Sequence, residues 1–136
     1  MNSAKPYEGD NIFRAIARRH QSEFRKKVLR VDFDSSDPRA QYGNLLPQDA
    51  AKQGLIFYEG YRDHIMKVAK KRYGKINGTA RYSNLLRSEH IPLNLFAPME
   101  QSFEKAAGLF NEILSGGIGT IEGIWIEYPY KHDPTK

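Results

Sequence analysis

The sequence contains no cysteine. That excludes a disulfide framework, thiolate-held zinc or iron–sulfur sites, and a thiol nucleophile. Histidine is scarce. His20, His64, His90 and His132 are the only four, none pairs at i, i+3 or i, i+4, and no HExxH motif occurs, so spacing gives no support to a zinc site. Long apolar runs are also missing. The longest lies around Leu55–Tyr58, far short of the roughly 20 residues that cross a bilayer. The polar N-terminus lacks a signal-peptide core, so the expectation is a cytoplasmic protein with no membrane contact. Neither a GxxxxGK[ST] phosphate loop nor a GxSxG elbow is present, which leaves P-loop and serine-hydrolase chemistry without an anchor.

What is present describes a globular chain. Its 136 residues are 40% apolar, 12% aromatic and 27% charged, enough to bury a core in one domain. The net charge of +5 is unevenly placed. Residues 1–30 hold eight basic residues against three acidic ones, and the remaining chain balances at 13 of each. The excess therefore belongs to one N-terminal element, the electrostatic footprint of a phosphate-binding surface. Arg14, Arg18, Arg25, Lys26 and Arg30 are the candidate nucleic-acid contacts on it. A second basic cluster around Lys67 and Lys71 extends the candidate surface, although cations there also suit the carbonyl end of a helix.

Hydropathy patterning predicts a helix-dominated α+β fold. Residues 1–9 read as a flexible lead, 10–130 as one globular domain and 131–136 as a polar tail. A long basic helix is expected over 11–30, capped by Asp10 or Asn11, with Ile12, Phe13, Ile16, Ala17, Phe24 and Val28 on its apolar stripe and His20 at the boundary of the core. Pro47 and Gly54 bracket a short helix. Leu55–Tyr58 reads as a strand or packed linker, and 59–73 as a helix stopped by Gly74. A turn at 75–79 leads to a short helix at 80–88, followed by a tight apolar segment at 91–98. A further helix runs from Pro98 or Met99 to Leu114. Residues 118–128 are rich in Ile, Trp and Tyr and predict a C-terminal strand. A lone strand cannot complete its own ladder, so homodimerisation through it is one expectation. Tyr42-Gly43-Asn44-Leu45-Leu46 is echoed by Tyr82-Ser83-Asn84-Leu85-Leu86 forty residues later; with unmatched flanks, this does not read as a solenoid repeat.

Candidate chemistry is sparse. Asp32 and Asp34 would share a face of a strand and suit a divalent cation, but the run through Asp37 and Pro38 reads better as a solvated turn. Gly116-Gly117-Ile118-Gly119 follows a helix, the wrong order for a nucleotide fingerprint. Glu122 and Glu127 would face opposite sides of a strand. Phe57, Tyr58, Tyr61, Tyr73 and Tyr82 are possible base-stacking residues, each more simply read as core or boundary. No catalytic or metal-ligating residue is assigned.

Several phrases carry a resemblance. They are Pro6-Tyr7-Glu8-Gly9-Asp10-Asn11-Ile12-Phe13-Arg14, Arg19-His20-Gln21-Ser22, Tyr42-Gly43-Asn44-Leu45-Leu46 with Asp49-Ala50, Asn84-Leu85-Leu86-Arg87-Ser88, and Leu93-Asn94-Leu95-Phe96-Ala97-Pro98. Together they resemble the N-terminal part of a bacterial family in the PD-(D/E)XK nuclease superfamily. The resemblance implies a mixed sheet flanked by helices, with an Asp and a Glu-x-Lys holding Mg²⁺ for phosphodiester hydrolysis. By that analogy the helix ending near Leu114 is the first core helix and 118–128 the first core strand. The catalytic residues are then expected beyond Lys136. No Asp-x-Lys or Glu-x-Lys tripeptide occurs in this sequence, so no catalytic residue carries over, and Mg²⁺ is expected only if the chain is an active nuclease. The leading expectation is a nuclease-derived, non-catalytic protein contacting nucleic acid through its basic helix. One alternative is an interaction module or inhibitor bound to a nucleic-acid-handling complex, such as a bacterial defence machine. The other is a metal-dependent nuclease whose site is incomplete or completed by a dimer.

Overall fold

The computed structural model describes residues 4–33, 37–74 and 80–126. Helix α1 spans Ile12–Phe24 and continues as a π-helical turn over Arg25–Leu29. Its N-cap is Asn11, whose side chain accepts from the Arg14 amide at 2.9 Å, covering one of the free N–H groups of the first turn. Arg30 ends the turn with φ +54°. A 3₁₀ turn at Pro38–Tyr42 follows, then α2 (Gln48–Lys52), a 3₁₀ turn at Glu59–Tyr61, and α3 (Arg62–Tyr73). Helices α4 (Ala80–Ser83) and α5 (His90–Phe96) lead through a 3₁₀ turn at Ala97–Gln101 into α6 (Phe103–Ile113), capped by Ser102.

The main core joins Phe57, Ile65 and Ala69 of α3, Tyr82, Leu93, Ala97 and Ile126. The Leu55–Tyr58 segment is a packed linker rather than a strand, with Phe57 buried. A smaller cluster of Leu46, Ala50 and Leu85 takes Leu29 and Val31 against it, which fixes where the end of α1 meets the body.

The two echoed pentapeptides lie against each other. Leu45 and Asn84 form an isolated antiparallel bridge. The Leu85 amide donates to the Asn44 carbonyl at 2.9 Å, and the Leu46 amide to that of Ser83 at 2.8 Å. Asn44 Nδ2 donates to Asn84 Oδ1 at 2.7 Å.

The α+β expectation and its C-terminal strand are corrected. Among the described residues no strand forms, and helices dominate. Residues 118–126 run without a partner strand, and a single extended segment has no ladder to join. Asn111 of α6 holds the start of that segment instead: its Nδ2 donates to the Ile118 carbonyl and its Oδ1 accepts from the Ile118 amide, both at 2.8 Å. The turn at 75–79, the end of the expected strand and the polar tail lie outside the described residues.

Two further corrections concern α1. Its apolar stripe is not core: Ile12 is 82% and Phe13 80% exposed, and Ile16, Phe24 and Val28 are exposed as well. His20 is likewise exposed. The helix meets the body through its polar side, where Ser22 and Arg25 are the buried residues.

Candidate nucleic-acid interface

The N-terminal lead folds back over α1. The Lys5 amide donates to the Gln41 carbonyl at 2.8 Å, and the Asp10 amide to the Tyr7 carbonyl at 3.1 Å. The Tyr7 and Tyr42 rings meet edge to face with centroids 4.9 Å apart. Arg18 projects from α1 between them, its guanidinium carbon 5.2 Å and 5.7 Å from the two ring centres. Its Nε donates to Asp10 Oδ2 at 2.5 Å and its Nη2 to Oδ1 at 3.0 Å, a bidentate ion pair. Its Nη1 donates to Asn44 Oδ1. The same pairing holds the Asp10 carboxyl below the usual carboxylate range, with the Arg18 hydrogen bond as the main cause.

Arg25 is taken inside. It is fully buried, with Nε donating to the Gly43 carbonyl at 3.0 Å and Nη1 to the Val31 carbonyl at 2.5 Å. Asp32 lies 3.6 Å away and the Phe33 ring 5.4 Å away. Burial pushes the Arg25 pKa down, opposed by the Asp32 charge. Gly43 makes this approach possible. Its φ is +78°, and a Cβ there would collide with Ser22 of α1.

The seven candidate contacts therefore separate. Arg25 is removed from any surface by burial, and Arg18 is committed to Asp10, Asn44 and the two tyrosines. Arg14 and Arg30 are exposed, and Lys26 is half-buried. Lys26 borders a groove of about 480 Å³ between α1 and the lead, together with Lys5, Arg19, Tyr7, Tyr42 and Glu23. Lys67 and Lys71 are exposed on α3 and do not line this groove. Lys5 and Arg19 line this groove although neither was singled out as a candidate contact from the sequence. Arg19 was visible there as part of the basic excess, but only the folded-back lead puts Lys5 beside it. Of the aromatic candidates, Phe57 and Tyr82 are core, Tyr73 is half-buried, and Tyr58 and Tyr61 are exposed.

Magnesium-dependent cleavage needs converging carboxylates. Among the described residues no group of three His, Asp or Glu side chains comes together to hold a metal. Asp32 accepts from the Phe33 amide at 3.0 Å and faces Arg25. Glu122 is exposed, while Asp34 and Glu127 lie outside the described residues. Among the described residues no helix is long and apolar enough to cross a membrane.

Comparison with curated proteins and with solved structures gives no significant match. The sequence profile of the PD-(D/E)XK nuclease superfamily matches residues 8–135. That span begins at Glu8, after Lys5 and Tyr7 of the lead, and takes in α1 with its π turn and every other helix described above. The chain belongs to the PD-(D/E)XK nuclease superfamily.

Proposed function

We propose that this superfamily member contacts the phosphate backbone of nucleic acid through α1 and the groove beneath the N-terminal lead, and does so without cutting it. The observation that supports this reading is the groove itself, where Lys5, Arg19 and Lys26 line one concave surface with two tyrosines. Exposed Arg14 and Arg30 continue the positive charge along the helix. Each phosphate neutralised releases counterions, so binding should be strongly salt-dependent. Nothing in this arrangement reads base edges, so the contact is with phosphate and not with sequence.

Fluorescence anisotropy with a labelled DNA duplex at low and high salt tests the reading. Lys26→Ala and Arg30→Ala should each weaken binding across sequences and lower the salt slope by about one, with the duplex remaining intact in Mg²⁺. Unchanged affinity and slope in both variants would remove the proposal, and metal-dependent cutting would restore the nuclease reading. One observation favours a second reading. Ile12, Phe13 and Ile16 are exposed beside the cations, as on a helix that docks against a protein of a nucleic-acid-handling complex. A stoichiometric protein partner retained in high salt, with no duplex binding, would put that reading first.

A further inference from the structure

Ile124, Trp125 and Ile126 run beside the C-terminal half of α3, and Ile126 joins the core that Ile65 and Ala69 of that helix build, with Ile124 packed against it. With the side chains at 124 and 126 packed inward, the residue between them is left to face outward. Trp125 is accordingly 68% exposed although both neighbours are anchored. Its indole has a defined seat. A Cβ on Gly123 would lie 2.6 Å from Cη2 and 3.0 Å from Cζ2 and Cζ3 of the ring. The benzo end of the indole thus occupies space that only a glycine leaves open. The ring borders a cavity of about 300 Å³ lined by Val68, Lys71, Arg72, Glu100 and the two isoleucines. Its floor is apolar, and Lys71 and Arg72 are the cations on its lining. Exposed Lys67 and Lys70 add charge along the same helix. Glu100, the acidic lining residue, faces His64, with Oε2 3.4 Å from Nε2.

We propose that Trp125, seated on Gly123 and bordered by Lys71 and Arg72, is a stacking platform for an unpaired base of single-stranded nucleic acid. A flat aromatic ring over an apolar floor suits a base face, and the neighbouring cations suit the flanking phosphates. A duplex hides its base faces in the stack, so the platform selects single strands. The inference rests on the reading that this chain handles nucleic acid, but it uses a different surface from the groove under the lead.

Trp125 is the only tryptophan in the chain, so its own fluorescence reports on the site. Titrating the full chain with a short oligothymidylate should quench that emission saturably, and a blunt duplex of the same length should not. Lys71→Ala should weaken the quenching titration. Gly123→Ala should weaken it too, because the new methyl group displaces the indole while the backbone there tolerates any residue. Trp125→Ala, followed by anisotropy of the labelled strand, should bind about tenfold more weakly. Absent quenching, equal quenching by the duplex, or unchanged single-strand affinity in Trp125→Ala overturns the proposal. Equal quenching by polyglutamate also overturns it, because the site then recognises acidic chains without bases. Duplex binding lost in Lys26→Ala and Arg30→Ala with quenching retained supports this site independently of the groove. Duplex binding retained without quenching removes this site and leaves the groove standing.

Discussion

At Arg25 a guanidinium fills the place between the π turn and the Gly43 loop where an apolar side chain would ordinarily sit. Two effects oppose each other there. Burying the charge costs free energy, seen in the lowered pKa, and the hydrogen bonds to the Gly43 and Val31 carbonyls offset part of it, while the buried Nη2 has no hydrogen-bond partner among the described residues. Asp32, half exposed and 3.6 Å away, adds an opposing charge. Arg25→Met keeps volume but leaves both carbonyls without their donor. An unsatisfied buried acceptor costs about 1–3 kcal/mol, so the variant should lose about 2 kcal/mol in a urea titration. Nucleic-acid affinity per folded molecule should not change. A parental midpoint with weakened binding would return Arg25 to the interface. The sequence marks this arginine as a candidate surface contact on the basic helix. Its different role depends on a glycine 18 positions away.

Helix α1 shows how an element can be legible while its orientation is not. Its span, its Asn11 cap and its end at the αL residue Arg30 follow from local chemistry. Which side faces the body does not. The apolar stripe predicts one face, and the helix docks by another, through Ser22 and Arg25. Gly43 is the point of closest approach, so Gly43→Ala tests the docking. A Cβ would meet Ser22 and force a side chain into a left-handed backbone, at a cost of about 1–3 kcal/mol. The expected result is reduced stability, with faster amide exchange in α1 and the lead than in α3. Uniform exchange across the chain would mean that α1 unfolds only with the core.

For the molecule as a whole, the carboxylates set the acid limit. Arg87 holds Glu89 down from 4.5 to about 2, chiefly through its side-chain hydrogen bond. Asp10, Glu23 and Asp37 are also lowered, each first by a hydrogen bond from a basic side chain. A depressed folded-state pKa means the unfolded chain takes up protons first as pH falls. The stabilisation is therefore complete above about pH 4.5 and is lost between there and about pH 2. Stability measured by urea titration should fall across that window, and Glu89→Gln should flatten the fall. An unchanged slope in Glu89→Gln would show that the Arg87 pair does not contribute.

Composition, charge placement and local punctuation were enough to establish a cysteine-free chain, a basic N-terminal helix, the stops at Gly54 and Gly74, and the superfamily, because each is written in contiguous residues. The pairing of the two echoed pentapeptides, the burial of Arg25, the groove under the lead and the outward turn of Trp125 were decided by tertiary structure. Each depends on groups distant in the chain: Asn44 meeting Asn84, Gly43 admitting Arg25, Lys5 returning to Gln41, and Ile126 reaching the core built on α3. The expected strand failed for the same reason. Its residues favour extension, but a ladder needs a neighbour, and among the described residues the fold supplies Asn111 instead.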